Sequence, residues 1–411
     1  MTDDRSKALV PQGPASLSPL SRLAERTLAE RLEREERALV ATRTLVVGPG
    51  GYATISAAVD AARDGDTVLV RPGRYEESVI VDGKTITIRG DGERDAIVVG
   101  SGHGPAFHLV ETRSKLAGLT ITGGRPDSEP EVGAALRVTG GAPDLDRLRV
   151  TQGQGVVFEG GAAGAIEHSQ IDGNACGILF HGIWVQGGAS PRIEENEVWA
   201  SAGKAIEMGG AGTDPLVRAN RIHDGEGILV GEGACPRIEE NEIWANRWSG
   251  ISIIDAGTDP LVRANRIHDG EGEGIGVALG ASPRIEDNEI WMRFIGITVG
   301  GAGTDPLIRA NKVHDGKGPA SIGIYVREGA SPRIEENEIW ANACTGIRIT
   351  GARTSPVIIG NIVRDGYDDG IWVLHGASPT IEGNTITDNA REAIRIDEGA
   401  NPKIGANVVS S

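Results

Sequence analysis

One recurring position in this sequence varies while its neighbours repeat. Inside short Gly-Ile-x-Val pieces, x reads Trp184, Glu207, Leu229, Ser252, Gly276, Thr298, Tyr325, Arg348, Trp372 and Arg395. The C-terminal part of that series brings two aromatic and two arginine side chains together in successive repeats. Asp369 and Glu392 precede the last two pieces, and Asp397 follows. Aromatic rings combined with guanidinium and carboxylate forks are the groups that recognise glycans or anionic ligands. The expected ligand-binding set is therefore Tyr325, Arg348, Trp372, Glu392, Arg395 and Asp397, with Trp184 and Glu207 in a weaker cluster that also holds His181 and Lys204. If the chain is catalytic, Arg348 or Arg395 would stabilise a carboxylate or enolate, and Asp369 or Tyr325 would move the proton.

Those residues stand out because the positions around them are so regular. Ala211–Gly227 reads AGTDPLVRANRIHDGEG, Ala256–Gly272 is identical, and Ala302–Gly318 is a close copy. A second motif, GASPRIEENEIW, alternates with it. Each half-unit carries one asparagine: Asn196, Asn220, Asn241, Asn265, Asn288, Asn311, Asn337, Asn361, Asn384 and Asn407, spaced 21 to 26 residues apart. Apolar residues alternate with polar ones in three short runs per unit, which is strand periodicity. A leucine-rich frame and helical 3–4 spacing are both missing. The expected fold is all-β, a right-handed parallel β-helix of three short strands per coil of about 23 residues. A buried asparagine column is expected to bond coil to coil, because an unpaired buried amide costs ~1–3 kcal/mol.

Stacking turns each repeat position into a column. Three residues after the asparagines the column reads Trp199, His223, Trp244, His268, Trp291, His314, Trp340, Arg364, Thr387. Columns two before and one after alternate in charge, as Glu194, Arg218, Glu239, Arg263 and Glu197, Arg221, Glu242, Arg266 show. Alternation avoids stacking like charges ~4.8 Å apart and predicts ion-pair ladders. A catalytic residue is normally singular, so the repeated histidines read as ladder members, and the Trp/His column as packing rather than a platform.

Composition bounds the rest. Of 411 residues 60 are glycine, only 15 are Trp, Tyr or Phe, and the net charge is −17. An acidic chain argues against nucleic acid as partner, and no apolar run is long enough to span a membrane. Three widely spaced cysteines, Cys176, Cys235 and Cys344, give neither a disulfide framework nor a zinc motif. The start lacks a secretory pattern, so a cytoplasmic location is expected. No metal or cofactor motif is recognisable. Residues 1–15 read as a disordered tail. Residues 16–42 read as an amphipathic helix opened by Ser18-Pro19, and 43–411 as one β-helix, irregular to ~181 and regular over 182–411. That helix, or an open C-terminal end, would serve any homo-oligomer.

The repeats from Gly182 onward resemble the parallel β-helix repeats of the NosD-like and F-box-only-protein-type families, also called carbohydrate-binding and sugar-hydrolysis domains. The stretch YATISAAVDAARDGDTVLVRPGRYEESVIVDGKTITIRGDG, Tyr52–Gly92, resembles the opening of pectin-methylesterase-like and pectate-lyase-like β-helices, with a short helix over Thr54–Ala62. The resemblance implies a glycan or protein partner on the outer strand face and, as the alternative, a polysaccharide lyase, epimerase or hydrolase, or a small-molecule isomerase or cyclase. The Asp-Pro-His signature of mannuronan epimerases is replaced by Asp-Pro-Leu at Asp214, Asp259 and Asp305.

Overall fold

A computed structural model describes residues 42–410 except 103, 124–133, 174–180, 200–202 and 319–320. The chain divides into two units, Met1–Arg43 and Thr44–Ser411. The tail and helix expected over 1–42 lie, but for the last position, outside the described residues, as does Cys176.

Three parallel sheets run the length of the second unit, with 16, 15 and 14 strands; they are called sheets I, II and III. Each coil gives one strand to sheet I, one to sheet II and one to sheet III, and then rises to the next coil. The result is a right-handed parallel β-solenoid of about 15 turns. Strands are short because turns interrupt them every few residues. Their middle residues point inward, as in Arg237–Glu239, where Ile238 is fully buried between exposed or half-buried neighbours. Register is strict: Ile243 pairs with Ile267, Ile267 with Ile290 and Ile290 with Val313. Isoleucine and valine columns thereby fill the interior, and β-branched side chains suit a pleated, buried surface.

The asparagine column sits at the bend between sheets I and II. The Asn265 amide donates to Asn288 Oδ1 (2.9 Å) and to the Ile238 carbonyl (2.8 Å), and its own Oδ1 accepts from Asn241 N–H (3.0 Å). The residue before each asparagine from Asn196 to Asn384 has left-handed backbone, for example Ala264 with φ 53° and Glu240 with φ 56°. Such conformations cost non-glycine residues energy, and the asparagine bonds hold them. The column ends where Ser169 N–H donates to Asn196 Oδ1 (3.0 Å) and Ser169 Oγ accepts from Leu148 N–H (3.0 Å). Earlier coils fill that position with Leu148 and Leu119, both fully buried.

Helix α1, Ile55–Ala61, lies within the span expected from sequence. Thr54 caps it, accepting from Ala57 N–H at 3.1 Å, and the Glu77 carboxylate accepts from Ile55 and Ser56 N–H. Ile55, Ala58 and Val59 enter the core.

Trp199, His223, Trp244, His268, Trp291, His314 and Trp340 form one stacked column on sheet II, with ring centroids 4.2–6.1 Å apart and planes within 18°. Each histidine Nδ1 meets the next residue's carboxylate at 2.8 Å, for example His268 and Asp269. Asp269 has φ 53°, a conformation that aspartate tolerates.

The charge ladder is neutralised differently from the coil-to-coil pairing expected. Arg237 and Arg284 pair within their own strands with Glu239 and Glu286. Arg218, Arg263 and Arg309 reach past the column to turn carboxylates of the next coil, Glu240, Asp287 and Glu336. The guanidinium is longer than the strand spacing, so the nearer turn carboxylate wins. Pairing directly between coils occurs after the asparagine, as for Arg221 and Glu197 at 3.2 Å.

Candidate functional site

Sheet III carries the variable column, and pairing places its members side by side: Trp184 with Glu207, Tyr325 with Arg348, Arg348 with Trp372, and Trp372 with Arg395. From Trp184 to Trp372 both neighbours of the variable residue are buried aliphatics, such as Ile347 and Ile349, whereas Ile394 and Ile396 beside Arg395 are only partly covered. The variable side chain therefore points out.

At the C-terminal end these side chains stack on one another. Arg348 lies 5.7 Å from the Tyr325 ring centroid and 4.5 Å from that of Trp372, and Arg395 lies 4.3 Å from Trp372. The Trp372 faces expected to meet a ligand are thus covered by guanidiniums from the coils before and after, and Tyr325 is approached by Arg348 and by Arg327 of its own strand. Cation–π attraction of ~0.5–1 kcal/mol per exposed contact, and more when desolvated, explains the arrangement. Arg395 is also clamped by carboxylates, with Asp397 at 3.0 Å and Asp369 at 3.4 Å. Burial opposes its charge, but Asp397 and Asp369 outweigh that and hold the guanidinium more firmly protonated than usual. Arg348, by contrast, has no carboxylate within ion-pair distance among the described residues. Its Nε and the Trp372 Nε1 are buried without hydrogen-bond partners.

Asp369 is 1% exposed. One oxygen accepts from Glu392 N–H at 3.1 Å and the other faces Arg395. This carboxylate is placed to position Arg395 and the preceding loop. Glu392 lends its backbone there, while its side chain is exposed.

The second cluster sits toward the N-terminal end of the same face. Three residues before the variable position, His181 pairs with Lys204, and Glu226 holds the same place in the next coil. Lys204 and Glu226 form an ion pair at 3.1 Å. His181 Nδ1 approaches Glu207 Oε2 to 3.1 Å, off the axis of a hydrogen bond, and its ring lies 5.4 Å from Trp184. Burial, helped by the Lys204 charge, lowers the His181 pKa to about 4. Burial, helped by Glu232, pushes the Glu207 carboxyl up. Sequence reasoning missed Glu226, although its spacing before Leu229 marks the same column as His181 and Lys204. Between the two clusters lie Leu229 and then the small Ser252, Gly276 and Thr298, a stretch of about five strand spacings (~24 Å) from Glu207 to Tyr325.

Among the described residues, no three His, Cys, Asp or Glu side chains gather as a metal ion would require, and no helix is long and apolar enough to cross a membrane.

The sequence matches the model of the right handed beta helix region over residues 154–313 and 284–409. No curated protein matches it. Among solved structures it is similar to the catalytic unit of an α-1,3-glucanase of family GH87 from Streptomyces thermodiastaticus, with 16% identity over 90% of this chain and 69% of that one and a TM-score of 0.55. The A-module of a mannuronan C-5 epimerase from Azotobacter vinelandii gives 16% identity, 87% and 94% coverage and a TM-score of 0.48. The Dettilon tailspike protein gives 16%, 89% and 68%, and 0.48. At such identities the likeness is one of fold.

Proposed function

Because the chain belongs to the right-handed β-helix family, whose long sheets present side chains in straight columns, we propose that it recognises an acidic glycan along the outer face of sheet III. The observation that carries this reading is Arg348. Its half-buried guanidinium is held rigid between the Tyr325 and Trp372 rings and faces no carboxylate within ion-pair distance among the described residues. A positive group that is pre-positioned but not neutralised attracts a carboxylate or sulfate with little loss of side-chain freedom. The sugar-acting protein with the same fold is consistent with this reading, and the narrower likeness to carbohydrate-binding and sugar-hydrolysis repeats belongs to the same proposal.

The test is a glycan array with acidic and neutral oligosaccharides, read for the unchanged protein and for Arg348→Gln. Acidic glycans should be retained, and the variant should bind about tenfold more weakly or worse, as expected for one lost charge-assisted contact. Equal binding by both proteins would remove Arg348 from the site.

A second reading, a carbohydrate-active enzyme, is favoured by His181 and Glu207. A neutral imidazole beside a carboxyl that resists ionisation is the pairing that separates a base from an acid. Asp369 is less suited to proton transfer because it is buried and already engaged. Turnover of a glycan that the protein binds on the array, lost in His181→Ala while binding is retained, would establish the enzymatic reading.

A further inference from the structure

A separate feature lies on the irregular coils. The outward column of sheet I that later carries Glu194 and Arg218 begins with Val46, Leu69, Arg89, Ala117 and Asp146. Ala117 is the short member, and Gly118, Gly90 and Gly92 stand beside it at the turn. A Cβ added at Gly118 would meet only the Gly92 carbonyl, at 3.7 Å, and the Gly90 nitrogen, at 4.0 Å. The missing side chains leave a cleft of about 600 Å³, rimmed by Arg89, Arg94, Arg147 and Glu93. That volume suits a small organic ligand.

The charges around it are unbalanced. Arg94 reaches across several coils and spends its donors on neutral acceptors: Nε on the Arg147 carbonyl (3.1 Å), one terminal nitrogen on the His168 carbonyl (3.4 Å) and the other on Gln170. Arg147 is paired with Asp146 at 2.9 Å, but the same carboxylate also serves His168 at 3.2 Å and Lys115 at 3.5 Å. Arg89 has no carboxylate within ion-pair distance among the described residues. Three guanidiniums thus face Glu93 and a share of Asp146. Burial first, then the neighbouring Arg149 charge, makes Arg94 less basic than usual, with Glu93 opposing.

We propose that this cleft binds a monosaccharide-sized organic oxyanion, a carboxylate or a phosphate, held by the planar forks of Arg89 and Arg147 over the Ala117–Gly118 floor. Arg94 acts as the fixed positive wall. Guanidinium forks match both oxyanions bidentately, and the proposal is independent of the reading of sheet III.

Calorimetric titration of the full chain with glucuronate, glucose 6-phosphate and glucose provides the test. Each is measured on the unchanged protein and on Arg89→Gln, Ala117→Leu and the distant, exposed control Arg333→Gln. Arg89→Gln removes one fork, and Ala117→Leu fills the floor while keeping every charge. At least one of the two anions should bind, glucose should not, and the first two variants should weaken binding roughly tenfold or more. Arg333→Gln should leave it unchanged. Which anion binds distinguishes carboxylate from phosphate. Absence of binding by both anions, insensitivity to Ala117→Leu, or loss in Arg333→Gln instead would overturn the assignment. Circular dichroism of the two cleft variants excludes unfolding as the cause of any loss.

Discussion

Replacing Asn265 by alanine tests the asparagine column at its centre. The substitution leaves the Asn241 N–H without a partner, at a site where Asn265 and Asn241 are at most 1% exposed, whereas the Ile238 carbonyl loses the Asn265 amide but stays in the sheet I ladder beside Arg263. Two other groups are spared, since Asn241 Nδ2 keeps the Val217 carbonyl and Asn288 Oδ1 keeps the Asn265 N–H. One orphaned buried N–H costs ~1–3 kcal/mol. Stacked coils unfold piecemeal, so a single global midpoint is a poor readout. Amide hydrogen exchange read by mass spectrometry on peptides covering 236–245 is better, because it reports local opening. At 1.4 kcal/mol per tenfold, exchange there should quicken by about fivefold to about 100-fold. Asn407→Ala serves as the comparison. It has the same kind of bonds to Asn384 and Ile381, but Asn407 is half-exposed on the last coil. Water replaces the lost partner there, and the cost should stay near the ~0.5–1.5 kcal/mol of an ordinary hydrogen bond. Equal effects of the two variants, or less than about fivefold for Asn265→Ala, would refute the argument that buried amide pairing holds the bends.

Further outcomes follow from other columns. A Cβ at Gly296 would lie 2.3 Å from Val313 Cγ1 and 2.6 Å from the Gly323 carbonyl, whereas one at Gly276 meets nothing nearer than 3.6 Å. Gly296→Ala should therefore destabilise by about 1–3 kcal/mol and Gly276→Ala hardly at all, measured as the shift in the first thermal transition. His181 binds its proton less readily when folded, about 4 against 6.5. The unfolded chain takes up more protons between those values, so this residue's contribution is present above pH 6.5 and falls away toward pH 4. The upper limit is about 3 kcal/mol. Comparing urea midpoints of the unchanged protein and His181→Gln at pH 7 and pH 5 should show a smaller drop in the variant. Glu207 slopes the other way, since its raised pKa costs stability as pH rises through it, and is measured separately with Glu207→Gln.

The solenoid was legible because its constraint is periodic. A buried amide must recur once per coil, and Asn196 through Asn407 do so in the sequence itself. The outward direction of the variable column was legible for the same reason, since Ile347 and Ile349 must face in. What alternation could not convey is reach. Arg218 spans to Glu240, and Arg348 lies flat against Trp372, because a flexible side chain chooses among partners that only the turns define. The Ala117–Gly118 cleft escaped notice because it is made of missing side chains on coils with the weakest repeat. His181 was singled out by type, but its displaced protonation arises from burial, which its neighbours in space impose.

The alternation of Trp with His and of Glu with Arg gives the molecule a grain. Each coil docks correctly only on one of the opposite kind, so removing a single coil would set Trp244 against Trp291 and Glu242 against Glu289. Removing two would restore every contact. The length of such a rod is therefore free to change in steps of two coils, ~10 Å at a time, and resists change by one. Growth by paired units is the natural origin of the identical segments Ala211–Gly227 and Ala256–Gly272. It also means that the distance between the two clusters on sheet III can be reset without disturbing either.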